Sequence, residues 1–410
     1  MKFSKKKITV VCQVFYPDSQ STSQLFTCLF KKLVERGYEI EVLSGYPAVV
    51  IGDNHTNITL SEETAFGISI KRSGGRFNFK KNLFLRMLHY MLYMFGTTFK
   101  LWKAQRNSDF VFGVTNPPFT PVWLWLCHKL FRFKYEIMLL DVYPDGLFRL
   151  GEMNEKSLIA RFWRWGNKNA LHSAKKVIVL GRDMGDLVYE VYGVQDENIE
   201  YIPHWSAVES ELPKPAEETN LWRKLRLNDD FVVQYSGNMG LWHDMETLVL
   251  AANILKNYST IRFLLIGDGR RAAAAKKMSE NLGCHNITWL PFQPQDQLDD
   301  SLACCHLSII SQREGLEGIA VPCKLYGILS SARGVLGMVP RQSEVARVIA
   351  EESCGVINLP EDYDSLAQEI LRLSSMRDEV TEMGKRSYEA YNHKYTVDVA
   401  TNKFDRHWCK

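Results

Sequence analysis

A chain of 410 residues exceeds what one hydrophobic core usually serves, so two domains of roughly 200 residues are expected. Its composition, 46% hydrophobic and 24% charged, is that of an ordinary globular protein, and a net charge of +3 is too small to argue for a nucleic-acid partner. The nine cysteines form no CxxC and lie mostly in apolar runs, which reads as reduced core residues of a cytosolic protein.

The opening, "MKFSKKKITVVCQVFYPDS", has an apolar run too short for a signal peptide and no small-residue cleavage site; it reads as a first strand. "QLFTCLFKKLVERG" follows as an amphipathic helix closed by Gly37, and "YEIEVLSG" as a second strand, giving a βαβ unit. Residues 71–106 carry nine Lys or Arg, eight aromatics and no acid. That pattern reads as an interfacial segment on an anionic membrane surface; its Leu and Met are too frequent for a nucleic-acid groove. No run approaches the roughly 18 apolar residues of a spanning helix. Strands are expected at "DFVFGVT", "KYEIMLLDVYPD" and "KKVIVLG", with a Trp-rich helix around Arg161 to Ala170.

The strand–helix alternation restarts at "DFVVQYSGNMG" and continues through "IRFLLIGDG", "NITWLPF" and "LSIIS" to a helix expected to start at Pro322-Cys323-Lys324. Two such runs imply two doubly wound α/β domains. The expected boundaries are an N-terminal domain over 1–202, a proline-containing linker over 203–218 and a C-terminal domain over 219–385. An aromatic helical tail over 386–410 is expected to pack back on the N-terminal domain.

Parallel α/β sheets bind ligands at the carboxyl ends of their strands. Three ends in the second half are marked: "YSGNMG" (Tyr235 to Gly240), "IGDG" (Ile266 to Gly269) and "REGLEGIAVPCKLYG". Glycine lets a ligand approach the backbone, and a helix start favours a phosphate. Lys324 would stand beside that anionic site, and Glu317, unfavourable near a diphosphate, is suited to neutral sugar hydroxyls. "DYD" at Asp362 to Asp364 mimics a metal-binding triplet, but acids between a strand and a helix make good caps. The ten histidines show no zinc spacing, and His204 and His243, beside candidate loops, read as structural.

"EGIAVP" resembles the E-G-F-G-L-P stretch of the retaining glycosyltransferases of family 4. "PCKLYGILSSARGV" resembles the P-S-K-L-Y-G-I-L-A-A-G-R-P variant in bacterial sugar transferases of polysaccharide and O-antigen assembly. "YSGNMG" and "IGDG" match that family's donor loops in order and spacing, and "FYPDSQSTSQ", "VTNPPF", "LLDVYPD" and "YIPHW" resemble its N-terminal and linker segments. The resemblance implies a GT-B fold, two doubly wound Rossmann-like domains facing across a cleft, acting without metal or other cofactor on a nucleotide diphosphate-sugar. It implies donor-binding roles for Gly237, Asn238, Gly240, Gly267, Asp268, Gly269, Gly318 and Lys324. Glu317, Asp141 and Lys324 would serve catalysis, and Asp18, Ser21, Thr22 and Asp145 would meet the acceptor. The family's second glutamate, eight residues after the first, falls on Leu325 or, allowing for the longer variant, Gly327; Glu344 is the candidate to replace it. Ser21 and Thr22 also stand where that family has glycines.

The expected function is transfer of a sugar, an N-acetylated aminosugar among the options, from a donor expected to be UDP-linked. The acceptor would be a polyprenyl diphosphate-linked saccharide in bacterial surface polysaccharide synthesis. The enzyme would be a retaining hexosyl- or N-acetylhexosaminyl-transferase, cytoplasmic and peripheral on the inner face of the plasma membrane. Alternatives are a nucleotide-sugar 2-epimerase of the same fold and an inactive membrane-docked scaffold.

Overall fold

The computed structural model of the chain describes residues 6–47, 60–75, 83–207 and 213–409. Lys80 and Lys81 of the basic segment, and 208–212 of the expected linker, lie outside the described residues. The chain divides into two compact units. The first holds Met1–Pro203, Gly318–Ala320 and Val397–Lys410; the second holds His204–Glu317 and Val321–Thr396.

The first unit begins β1 (Lys7–Val11), α1 (Ser21–Glu35), β2 (Glu39–Gly45), β3 (Glu62–Ala65), β4 (Ile68–Ser73), α2 (Leu83–Ala104) and β5 (Phe110–Val114). It continues α3 (Thr120–Phe131), β6 (Tyr135–Met138), α4 (Asp145–Arg149), α5 (Leu158–Ser173), β7 (Val177–Val179), α6 (Arg182–Tyr192) and β8 (Ile199–Tyr201). The strands order β3-β4-β2-β1-β5-β6-β7-β8, parallel except for the β3–β4 pair. Val10 sits between Val42 and Phe112, and these central strands are apolar on both faces because helices cover both. In α1, Leu25, Phe26, Leu29, Phe30 and Leu33 recur at helical spacing and bury one stripe. Strand β6 is shorter than the expected run "KYEIMLLDVYPD", and Asp145 opens a separate short helix.

The second unit runs α7 (Asn220–Leu225), β9 (Phe231–Ser236), α8 (Glu246–Ile254), β10 (Ile261–Ile266), α9 (Ala272–Asn281), β11 (Ile287–Leu290) and α10 (Leu298–Ala303). It goes on through β12 (Leu307–Ser311), α11 (Lys324–Ser330), β13 (Gly334–Met338), α12 (Glu344–Glu352), β14 (Gly355–Asn358), α13 (Tyr363–Ser374) and α14 (Arg377–Ala390). Its sheet, β11-β10-β9-β12-β13-β14, is wholly parallel. Pro322 lies outside α11, whose N-cap is Cys323 and first helical residue Lys324, so the expected proline start is displaced by two residues.

The aromatic tail is split. Residues after Ala390 continue as a wide turn, Tyr391–Tyr395, in which Tyr395 packs 5.0 Å from Tyr326 inside the second unit. Only α15 (Val397–Cys409) joins the first unit. There the Trp408 ring lies 5.8 Å from Tyr38, 5.6 Å from Phe110 and 5.5 Å from Phe112. The buried Glu136 carboxylate accepts from Trp408 Nε1 at 3.0 Å and stands 2.9 Å from His407 Nε2. A buried carboxylate is tolerable only with such partners.

Candidate active site

Adjacent parallel strands end together, so the loops after them meet. Ser236 at the end of β9 pairs with Ile266 at the end of β10, which sets Gly237 beside Gly267. The loops are joined backbone to backbone: Gly237 N–H donates to the Ile266 carbonyl (2.8 Å) and Met239 N–H to the Asp268 carbonyl (2.9 Å). Gly267 has φ 128°, and a Cβ there would stand 2.1 Å from the Gly237 oxygen, so no side chain fits. Asn238 and Asp268 are exposed on this ledge, and Gly240 and Gly269 are part of it.

Lys324 reaches across the same ledge from α11. Its Nζ donates to the Asn238 carbonyl (3.0 Å) and to the Tyr235 hydroxyl, and lies 4.1 Å from the centre of the Tyr235 ring. Its Cε would be 2.7 Å from a Cβ at Gly237, so the glycine gives the lysine its path. His243 completes the cluster: Gly240 N–H donates to its Nδ1 (3.0 Å), which leaves the ring proton on Nε2, 3.4 Å from the Lys324 amine. An N–H facing the amine disfavours a charged lysine. Burial lowers the Lys324 ammonium from its ordinary value to about 7. Burial, and then the nearby lysine, hold His243 well below the usual histidine range, so it is neutral.

Tyr235 and His243 were therefore missing from the sequence-derived site, the latter read as structural. The available signal is position: Tyr235 is the last residue but one of β9, and His243 follows Gly240 by a single turn. His204 does behave structurally, buried against Trp205 and Tyr326 with its imidazole pushed down to about 4 by desolvation. Asp362 caps α13 by accepting from Ser365 N–H at 3.0 Å. Among the described residues, no group of three or more His, Cys, Asp or Glu is placed to hold a metal ion.

Glu317 is partly buried, following the end of β12 by six residues. Gly318 groups with the first unit, with φ 73° and its N–H donating to Asp183 Oδ2 at 2.9 Å. Glu344 is the residue expected to replace the family's second glutamate. It is only 1% exposed, in the first turn of α12, where the helix N-terminus favours a carboxylate.

In the first unit, Asp141 is partly exposed and lines a small cavity with Thr115, Tyr143, Asn167 and Tyr192. Burial raises its carboxyl to about 6. Asp145 is 3% exposed, accepts from Arg164 Nε at 3.2 Å and bonds the Tyr192 hydroxyl. Asp18 is also buried and turns the chain into α1, accepting from Gln20 N–H at 3.0 Å. Asp18 thus serves the backbone at a helix entry, whereas Asp145 is held by the side chains of Arg164 and Tyr192. Ser21 and Thr22 form the first turn of α1, Ser21 exposed and Thr22 partly so.

Residues 217–390 match the family model of the glycosyl transferases group 1. The chain is 25% identical over 325 residues to the probable glycosyltransferase WbjE of Pseudomonas aeruginosa, covering 79% of this chain and 80% of that one. It is also 25% identical over 306 residues to the putative colanic acid biosynthesis glycosyl transferase WcaI of Escherichia coli K12, covering 73% and 74%. Among solved structures, sucrose-phosphate synthase from Thermosynechococcus elongatus superposes with a TM-score of 0.76 at 14% identity, over 99% of this chain and 98% of that one. Anabaena HepE in complex with UDP and glucose superposes with a TM-score of 0.70 at 14% identity, over 99% and 100%. The chain thus has the GT-B fold, and its residues 217–390 are similar to the glycosyl transferases group 1.

Proposed function

We propose that the protein transfers a sugar from a nucleotide diphosphate-sugar to a lipid-linked saccharide in the assembly of a bacterial surface polysaccharide. The reading rests on the similarity to WbjE and WcaI and on one observation above all. Lys324 lies over a glycine ledge made by two joined strand-end loops, where a diphosphate could meet one cation and close backbone together. UDP is the proposed nucleotide, since HepE was solved with it on the same fold. The sugar is proposed to be a hexose or an N-acetylated hexosamine, and the acceptor a polyprenyl diphosphate-linked chain at the cytoplasmic leaflet.

In this scheme the second unit holds the donor and the first holds the acceptor. The bond from the anomeric carbon to the diphosphate oxygen breaks while the acceptor oxygen bonds to the same face of that carbon and its proton passes to the departing diphosphate oxygen, so configuration is retained. Charge builds on the departing diphosphate, and a cation already in place stabilises it without reorganisation. Lys324 takes that role, and the step calls for no metal. Glu317 grips the sugar hydroxyls, and Asp141 meets the acceptor hydroxyl or the sugar in transit.

Calorimetry with free UDP and with uridine tests the assignment. A charge-assisted contact is worth roughly 1.5–3 kcal/mol, so Lys324→Ala should weaken UDP about 10- to 100-fold and leave uridine nearly unchanged. Equal losses for both would make the lysine a structural residue.

A further inference from the structure

Three helices of the first unit, α2, α3 and α5, make one layer on one face of its sheet. Strand alternation shows which face. Phe112 and Glu136 point to α15, whereas a Cβ at Gly113 would stand 2.6 Å from Leu124 of α3, and the Tyr135 hydroxyl donates to the Ala170 carbonyl in α5. Trp123 Nε1 of α3 donates to Thr98 Oγ1 of α2 at 3.1 Å, and Trp125 of α3 meets Trp165 of α5 edge to face at 5.5 Å. The helices therefore lie side by side, with Tyr93, Leu124 and Trp163 turned inward and buried.

The outward side of this layer is apolar. Phe95 is 74% exposed, Phe99 65%, Leu130 71%, Ile159 73%, Phe162 64% and Trp165 52%. Large apolar side chains gathered on a surface mark a contact with something else. The charge pattern says what. The 22, 12 and 16 residues of the three helices contain no Asp or Glu, in a chain with 47 acids among 410 residues. Arg86, Lys103, Lys129, Arg161 and Lys168 are exposed on them. Glu155, in the turn before α5, is paired with Arg164. A second copy of the chain would set these cations against their own counterparts with no acid in the layer to pair them. No helix among the described residues is long and apolar enough to cross a membrane, so the fitting mode is interfacial.

We propose that this three-helix face docks the protein on an anionic lipid leaflet. Ile159, Phe162 and Trp165 of α5 and Leu130 of α3 enter to headgroup depth beside the stripe of α2, and the lysines and arginines meet lipid phosphates. The site is thus wider than the basic stretch 71–106, and its apolar part extends from α2 across α3 to α5. The inference deepens the lipid-linked acceptor of the function above. It is measured with neither donor nor acceptor present, so the two can fail separately.

Co-sedimentation of the full chain with vesicles of phosphatidylglycerol and phosphatidylethanolamine, against phosphatidylcholine vesicles, tests it. The wild type should prefer the anionic vesicles. Phe162→Ser with Trp165→Ser should weaken that binding about 100-fold in low and in high salt, because the loss is apolar burial. Lys129→Ser, Arg161→Ser and Lys168→Ser together should cost about 100-fold in low salt and little in high salt, where the wild type is itself screened. Circular dichroism and melting temperature report folding, and Ile159→Ser alone repeats the α5 test if the double variant unfolds. Wild type that ignores anionic vesicles in low salt overturns the proposal, as do α5 variants that are folded and bind like wild type. A dimer in sedimentation velocity that the α5 variants dissolve would assign the face to a second copy instead.

Discussion

Lys324 carries the account at the level of single residues, and its proton is the handle on it. Its folded-state value of about 7 lies below the ordinary 10.5, so between those values the unfolded chain binds more protons than the folded one. Its penalty on stability is therefore full below about pH 7 and relieved as pH rises towards 10.5. A bound diphosphate restores the charge, so UDP binding should take up about one proton near pH 8, and affinity should fall roughly tenfold per pH unit between about 7.5 and 9. Calorimetry in two buffers of different ionisation enthalpy reads the proton directly; no uptake and a flat affinity would mean the lysine does not meet the phosphates. Asp141 has the opposite shift for an acid, raised from 3.8 to about 6. The folded chain holds the extra proton between these values, so stability falls as pH rises through that window. Asp141→Asn should therefore raise stability by on the order of 2 kcal/mol at pH 7.5, with the gain gone near pH 4, while turnover drops. Melts at the two pH values decide it: an equal effect at both would place the cause in packing, not charge.

At the level of elements, α15 is the test of how the chain's last helix supports the first sheet. Trp408 is 2% exposed among Tyr38, Phe110 and Phe112, so Trp408→Ala should cost about 3–5 kcal/mol. An unfolding free energy from urea titration lowered by less than about 1 kcal/mol would show the helix to be dispensable. Elements were the legible part of the sequence. Runs such as "FVVQYS" and "IRFLLI" are apolar on both faces, as parallel strands under two helix layers must be, and a glycine marks where each ends. Side-chain direction was not legible. Asp18, Asp145 and Glu344 stand at helix entries, where the same acid can grip a ligand or serve the backbone, and sequence does not distinguish them. Tyr235 at a strand end reads as core, and the outward Phe162 and Trp165 of α5 follow the same helical spacing as the inward Trp163. The division of the aromatic tail at Val397 also has no local mark, because aromatic residues stand on both sides of it, Tyr391 and Tyr395 before and Phe404 and Trp408 after.

For the whole molecule, the claim is that a GT-B chain moves a sugar from a nucleotide diphosphate to a lipid-linked acceptor, and the fold alone cannot supply that. The same fold would serve a nucleotide-sugar epimerase, which needs no acceptor, or a chain that binds membranes and turns nothing over. The discriminating quantity is free nucleotide diphosphate. Wild-type protein is incubated with a panel of nucleotide diphosphate-sugars, with and without polyprenyl diphosphate-linked saccharides in anionic vesicles, and released diphosphate is measured alongside the same reaction with Glu317→Gln. The account predicts release with at least one donor, only when acceptor is present, together with a lengthened lipid-linked glycan, and a loss on the order of 100-fold or more in a folded Glu317→Gln variant. Release at the same rate without acceptor, a new sugar epimer in its place, or no release with any pair of donor and acceptor would contradict it.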